Sequence, residues 1–168
     1  MKESELAKRF VDHLSDWDLY FEVPYDGIID IVGVKKPIIA AFEVKTSFSL
    51  AVIDQAFSHR GKFHYSYVCV PTTNRLAEKI CRDYGIGVLM QVASNGVIHE
   101  VVKPKQYRNA KFNCDKLKPY QKESVPGSQS ERITAFGYMI LSIKNYLLRH
   151  PGATYKQVFD DNTSNLSY

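Results

Sequence analysis

Apolar residues recur at helical spacing near the start of the chain, where Leu6, Ala7, Phe10, Val11 and Leu14 form one stripe over residues 3–15. Leu19 to Val23 reads as a strand, ended by Pro24 and the turn Tyr25-Asp26-Gly27. Two further apolar strands follow at about 27–33 and 38–46, separated by Val34-Lys35-Lys36-Pro37, which reads as a tight reversal. Ser49 is placed to cap a helix over roughly 50–60, and Tyr65 to Val70 is a strand closed by Pro71. Thr73 can cap the next helix, which runs to Tyr84 and stops at Gly85. Strands at about 86–92 and 97–102, joined by Ser94-Asn95-Gly96, read as a hairpin. The order α-β-β-β-α-β-α-β-β predicts an α/β fold, a mixed central sheet flanked by helices, with the second and third strands central.

The pattern changes after residue 105. Residues 106–131 read as a basic and polar linker, and Ser124 to Arg132 contains Pro126-Gly127. A second helical stripe then appears in Ile133, Phe136, Ile140, Ile143, Tyr146 and Leu147, ended by His150-Pro151-Gly152. Thr154 can cap a short helix through Phe159, and a polar tail follows from Asn162. The expected division is therefore a core over 1–105, the linker, and a small helical segment over 132–168. Helix, Pro-Gly turn and capped helix is how a winged helix-turn-helix begins, but no third helix follows to enter a major groove. A partial module and a packing or dimerisation element both remain open.

Charge sharpens this division. The net charge of +4 is modest for 168 residues, but seven basic residues fall between Lys103 and Lys122 against Asp115 alone. Tyr107, Phe112 and Tyr120 lie among them, and basic residues interleaved with aromatics suit phosphate and base contacts. Lys103, Lys105, Arg108 and Lys111 are the candidates, and a solvated basic linker is the alternative. Cys69, Cys81 and Cys114 show no CxxC spacing and read as free thiols of a reducing compartment. The start Met-Lys-Glu-Ser-Glu lacks a signal-peptide apolar region, and no run approaches membrane-spanning length. A cytoplasmic location without membrane association is expected. Phosphate-binding glycine loops, GxSxG and histidine pairs at metal spacing are all missing from the sequence.

The chemistry lies on the central strands. If the pair reverses near Lys35-Lys36, residues whose numbers sum to about 73 oppose each other, which sets Asp30 beside Glu43. Glu43 and Lys45, two apart on one strand, point the same way. Two carboxylates and an ammonium in an apolar segment are expensive unless a metal or substrate compensates them. Asp30, Glu43 and the carbonyl of Val44 are suitable oxygen ligands for a hard divalent cation. Such a cation can neutralise a scissile phosphate and generate hydroxide, while Lys45 stabilises developing charge or orients the attacking water. A buried ion pair in an unrelated α/β domain is the plain alternative.

Asp30, Glu43 and Lys45 on consecutive strands of an αβββαβ order resemble the D…(E)xK motif of the PD-(D/E)XK, or restriction-endonuclease-like, nucleases. Ile29 stands where the motif often has proline. The resemblance implies an endonuclease of restriction, repair or resolvase type, hydrolysing DNA with Mg²⁺, for which Mn²⁺ can substitute, and leaves room for a homodimer. It also implies a glutamate on the first helix. At 100° per residue Glu3 shares the inward face with Leu6, Ala7, Phe10 and Leu14, whereas Glu5 lies nearly opposite. On the helix after the lysine strand, Gln55 is the residue expected to approach the site, with His59, Arg60 and Lys62 as phosphate-binding candidates beyond it. His59 otherwise reads as a surface residue. Ala56 to Pro71 and Tyr84 to Leu89 are similar to a subset whose core precedes a winged helix. The competing expectation is the same fold serving as a catalytically silent nucleic-acid-binding or regulatory module.

Overall fold

The computed structural model describes residues 2–92, 96–127 and 133–165. Helix α1 (Glu3–His13) leads into β1 (Asp18–Pro24), β2 (Ile28–Lys35) and β3 (Ile38–Val44). Then come α2 (Leu50–Ser58), β4 (Tyr65–Val70), α3 (Arg75–Tyr84), β5 (Gly87–Gln91) and β6 (Ile98–Val102). The six strands form one mixed sheet in the order β1-β2-β3-β4-β5-β6. Strands β1 to β3 are an antiparallel meander, β3 to β5 run parallel through α2 and α3, and β6 returns antiparallel. This is the α/β mixed sheet that the element order implies. Among the described residues no helix is long and apolar enough to cross a membrane.

Alternation along β3 divides the core into two faces. Ala40, Phe42 and Val44 pack with Ile31 against Leu6, Ala7, Phe10 and Leu14, the inward stripe of α1. Ile39 and Ala41 face the other side, with Phe63 and Phe112. On that side Val52, Ile53 and Ala56 of α2 and Cys81 of α3 cover Val68, Val70 and Val88. Glu43 takes the parity of Ile39 and Ala41, so it enters the second face.

Local signals account for most boundaries. Ser49 Oγ accepts the Val52 amide at the start of α2, and Gly85 ends α3 at φ 68°. The cap of α3 is Asn74, one residue past the expected Thr73, because the Asn74 side chain accepts the Ala77 amide. Residues 93–95 of the β5–β6 turn lie outside the described residues.

The expected linker is largely folded onto the sheet. The chain separates into compact units at 1–132 and 133–168, so the core unit extends well past residue 105. Backbone amides of Lys105, Tyr107 and Phe112 donate to the carbonyls of Gly85, His64 and Lys62. Phe112 is buried and stacks on Phe63 with ring centroids 4.6 Å apart. Two short 3₁₀ turns, Cys114–Lys116 and Pro119–Glu123, lead to the buried Gln121 and Ser124. A few apolar and hydrogen-bonding residues thus anchor a segment whose composition alone reads as solvated. The expected continuation of the linker over 128–131 lies outside the described residues.

In the second unit, α4 (Ala135–Arg149) and α5 (Tyr155–Asn165) pack on each other. Thr134 caps α4 through the Gly137 amide, and Thr154 Oγ1 accepts the Gln157 amide at the start of α5. Helix α5 continues past Phe159, where the sequence pattern ended it, to Asn165.

Phe10 is completely buried where α1 meets the sheet. Phe10→Ala should therefore lower unfolding stability by about 3–5 kcal/mol. Urea denaturation followed by far-ultraviolet circular dichroism measures this; a change within error would mean that α1 is not docked as described.

Candidate active site

The β2–β3 ladder pairs Ile31 with Phe42, Val32 with Ala41 and Gly33 with Ala40. Continued by one residue, that register sets Asp30 opposite Glu43. At this point the side chain of Asp30 takes over the ladder's role, its Oδ2 accepting the Val44 amide at 2.8 Å. Lys45 follows directly, with its own amide bonded to the Cys69 carbonyl on β4. Asp30 and Glu43 are 7% and 1% exposed, so both carboxylates belong to the interior.

Lys45 Nζ lies among three oxygens, at 2.8 Å from Glu3 Oε1, 3.0 Å from Asp30 Oδ2 and 2.9 Å from the Val44 carbonyl. Glu3 thus reaches the cluster. Glu5 instead turns to the helix start, where its carboxylate accepts the Lys2 amide. Glu43 is held from the end of α2, with Oε1 2.8 Å from His59 Nε2. Glu43 Oε2 and His59 Nδ1 are buried and have no hydrogen-bond partner.

The remaining expected residues are placed differently. Gln55 is exposed on α2, because Val52, Ile53 and Ala56 take the helix's inward face. His59, expected at the surface, is buried. Arg60 lies 3.6 Å over the Phe57 ring and donates to the Tyr84 carbonyl, and Lys62 pairs with Asp26 at 2.8 Å. These three side chains are therefore engaged within the protein. Lys103, Lys105, Arg108 and Lys111 are exposed. Their segment is tethered at Gly85, His64 and Lys62, and its far end, Phe112, packs on Phe63 beside His59. None of the hydrogen bonds or ion pairs described joins these four basic side chains to Asp30 or Glu43.

Glu22 escaped the sequence reading. It lies between the ladder pairs Phe21–Ile31 and Val23–Ile29, directly across β1 from Asp30, and is buried. Its φ of 52° is rare for a non-glycine residue in a strand, and its carboxylate accepts the Gly127 amide at 2.8 Å. Gly127, at φ 70°, packs so closely on Glu3 that a Cβ there would lie 3.1 Å from Glu3 Cγ. The signal was available, since Phe21-Glu22-Val23 sets a lone acid in an apolar strand, as Ile29-Asp30-Ile31 does.

Burial dominates the electrostatics. It pushes the Asp30 carboxyl up to about 6, helped by Glu43 and opposed by Lys45 and the Val44 amide. Burial likewise pushes Glu43 up to about 7, with Lys45 only partly offsetting it. Burial also works against the Lys45 charge, yet Asp30 and Glu3 together keep its pKa above the ordinary lysine value. His59 is pushed down to about 4 by burial and then by Lys62, so it is a neutral imidazole at physiological pH.

Among the described residues no group of three or more His, Cys, Asp and Glu side chains is arranged to hold a metal ion. The cluster offers two carboxylates and one carbonyl. The partnerless, buried Glu43 Oε2 fits the hard-oxygen chemistry of a small divalent cation. Asp30 Oδ2 and the Val44 carbonyl fit it too, although the Lys45 ammonium contacts both. All three cysteines are free thiols, two of them buried, and none contributes a ligand. Compared with family models, curated proteins and solved structures, the chain finds no match.

The raised carboxyls predict the pH response. Glu43 keeps its proton to about pH 7 when folded but releases it near its ordinary value of 4.5 when unfolded. The stability it contributes is present below that lower value and is lost as pH rises through about 7. His59 acts oppositely, adding stability as pH rises from about 4 to 6.5. Asp30, raised to about 6, adds to the fall at lower pH. The window that isolates Glu43 is therefore about pH 6.5 to 7.5, where stability should fall by roughly 0.5–1 kcal/mol and then level off. Thermal melts should show this fall in the wild type and not in Glu43→Gln. An equal fall in the variant would remove Glu43 as its source.

Proposed function

We propose that this chain is a divalent-cation-dependent endonuclease that hydrolyses DNA phosphodiester bonds, built on the PD-(D/E)XK pattern. The observation that carries the reading is the meeting of Glu3, Asp30 and Lys45 beside the buried, incompletely bonded Glu43. Converging acids with perturbed protonation equilibria are a physical mark of candidate functional sites.

Asp30, Glu43 and the Val44 carbonyl would hold Mg²⁺, or Mn²⁺ in its place, which would neutralise phosphate charge and lower the pKa of a bound water. The other roles belong to the protein. Glu3 and Asp30 hold the Lys45 ammonium charged and aimed at the cluster, ready to donate to a phosphoryl oxygen as negative charge develops. Burial of both carboxylates excludes bulk water, which strengthens every charge interaction inside. The exposed basic residues of 103–111 would supply a polyanion-attracting surface.

One observation favours the second reading, a nucleic-acid-binding module without turnover. Lys45 already occupies Asp30 Oδ2 and the Val44 carbonyl, so the cluster is partly neutralised without a metal.

Cleavage assays decide between them. With Mg²⁺ or Mn²⁺ the purified chain should cut duplex, branched or single-stranded DNA and be silenced by chelator. Lys45→Met and Glu43→Gln should each lower the rate by roughly 10²–10³-fold. Binding of DNA with no cleavage of any of these substrates selects the second reading, and full activity in either variant would refute the assigned roles.

A further inference from the structure

The geometry points to His59 as the positioning residue that presents Glu43 Oε2 to a divalent cation. This rests on the reading of Glu43 as a cation ligand, and it adds a group outside the D…(E)xK motif.

His59 is the C-terminal cap of α2, with its amide bonded to the Ala56 carbonyl. It is 4% exposed and meets the Phe63 ring edge-on at 5.9 Å, while Phe63 is backed by Phe112. This aromatic wall holds the imidazole so that Nε2 lies 2.8 Å from Glu43 Oε1. A neutral imidazole can donate there only as the Nε2–H tautomer. That bond consumes one carboxylate oxygen and restricts rotation about the last torsion of Glu43. Oε2 is then the oxygen with uncommitted lone pairs, and it is buried without a partner. Metal-ligating carboxylates are commonly oriented by such an outer hydrogen bond. Gln55, exposed one turn earlier on α2, cannot do this from its position.

The test is Mn²⁺ titration of the full chain by calorimetry, comparing wild type with His59→Phe and His59→Gln. The phenylalanine keeps the aromatic packing and loses the donor, whereas the glutamine amide can donate to the same oxygen. The expected result is Mn²⁺ affinity weakened roughly 10–100-fold in His59→Phe, with substantial recovery in His59→Gln. Equal affinity in wild type and His59→Phe overturns the inference and leaves the nuclease reading standing. Mn²⁺ binding with the expected variant pattern, but no DNA cleavage, supports the inference and sinks the nuclease reading. A wild type that binds no Mn²⁺ overturns both. Should the phenylalanine variant fail to fold, nitrogen-15 spectra of the wild-type histidine rings decide. His59 should be the Nε2–H tautomer and its ring signals should shift on Mg²⁺ addition. The Nδ1–H tautomer, or a ring unmoved by saturating Mg²⁺, overturns the inference.

Discussion

The Lys45 ammonium is the interaction on which the centre of this fold depends. Its three oxygen contacts come from α1, β2 and β3, and its own amide bonds to β4. One residue therefore joins the first helix to three adjacent strands. Without the ammonium, Asp30 and Glu3 would face each other near Glu43 with no cation among them. Asp30 is the buried member of this set, so removing the ammonium would leave its charge uncompensated in the interior, whereas the half-buried Glu3 contact contributes less. The docking of α1 therefore has an electrostatic component beside the apolar stripe of Leu6, Ala7 and Phe10.

Lys45 does not complete the charge balance. Glu43, on the same face of the sheet as Asp30, is bonded through Oε1 to a neutral imidazole. A protonated histidine there would cancel the carboxylate charge, but burial and the nearby Lys62 disfavour protonation. Glu22 adds another buried acid across from Asp30 and holds a backbone conformation that itself costs on the order of 1–3 kcal/mol. Conflicts of this kind, packed into one place in an otherwise consistent core, are what a functional constraint looks like in a fold.

Where local periodicity decides, the chain was legible. The β2–β3 register followed from a short reversal and strict alternation, and the element order followed from switches between periods of two and 3.6 residues. The choice of Glu3 over Glu5 needed only the helical angle. The same arithmetic applied to α2 would have found His59. With Val52, Ile53 and Ala56 defining the inward face, His59 lies roughly 70° from its centre and Gln55 more than 100°. Gln55 matches the motif's usual position, but the apolar face of α2 turns it outward. The segment after residue 105 was a different matter. Its burial rests on Phe112, Gln121 and backbone bonds to His64 and Gly85, contacts between residues too distant in sequence for any periodic signal to reveal.

On the proposed reading, the two tasks of Lys45 exclude each other in time. As described, its ammonium contacts Asp30 and the Val44 carbonyl, the same oxygens that would receive a divalent cation. A dication there would repel the ammonium and leave it held chiefly by Glu3, the one contact that no expected ligand shares. Glu3 would then act as a tether, keeping the displaced charge close to an incoming phosphate. Glu43 supplies the bias for this exchange. Its buried carboxylate is costly to ionise and lacks a full counter-charge, so the free energy lost in ionising it is available to a cation that binds Oε2. Cation affinity and the instability of the ion-free fold are, on this view, one quantity seen from two sides.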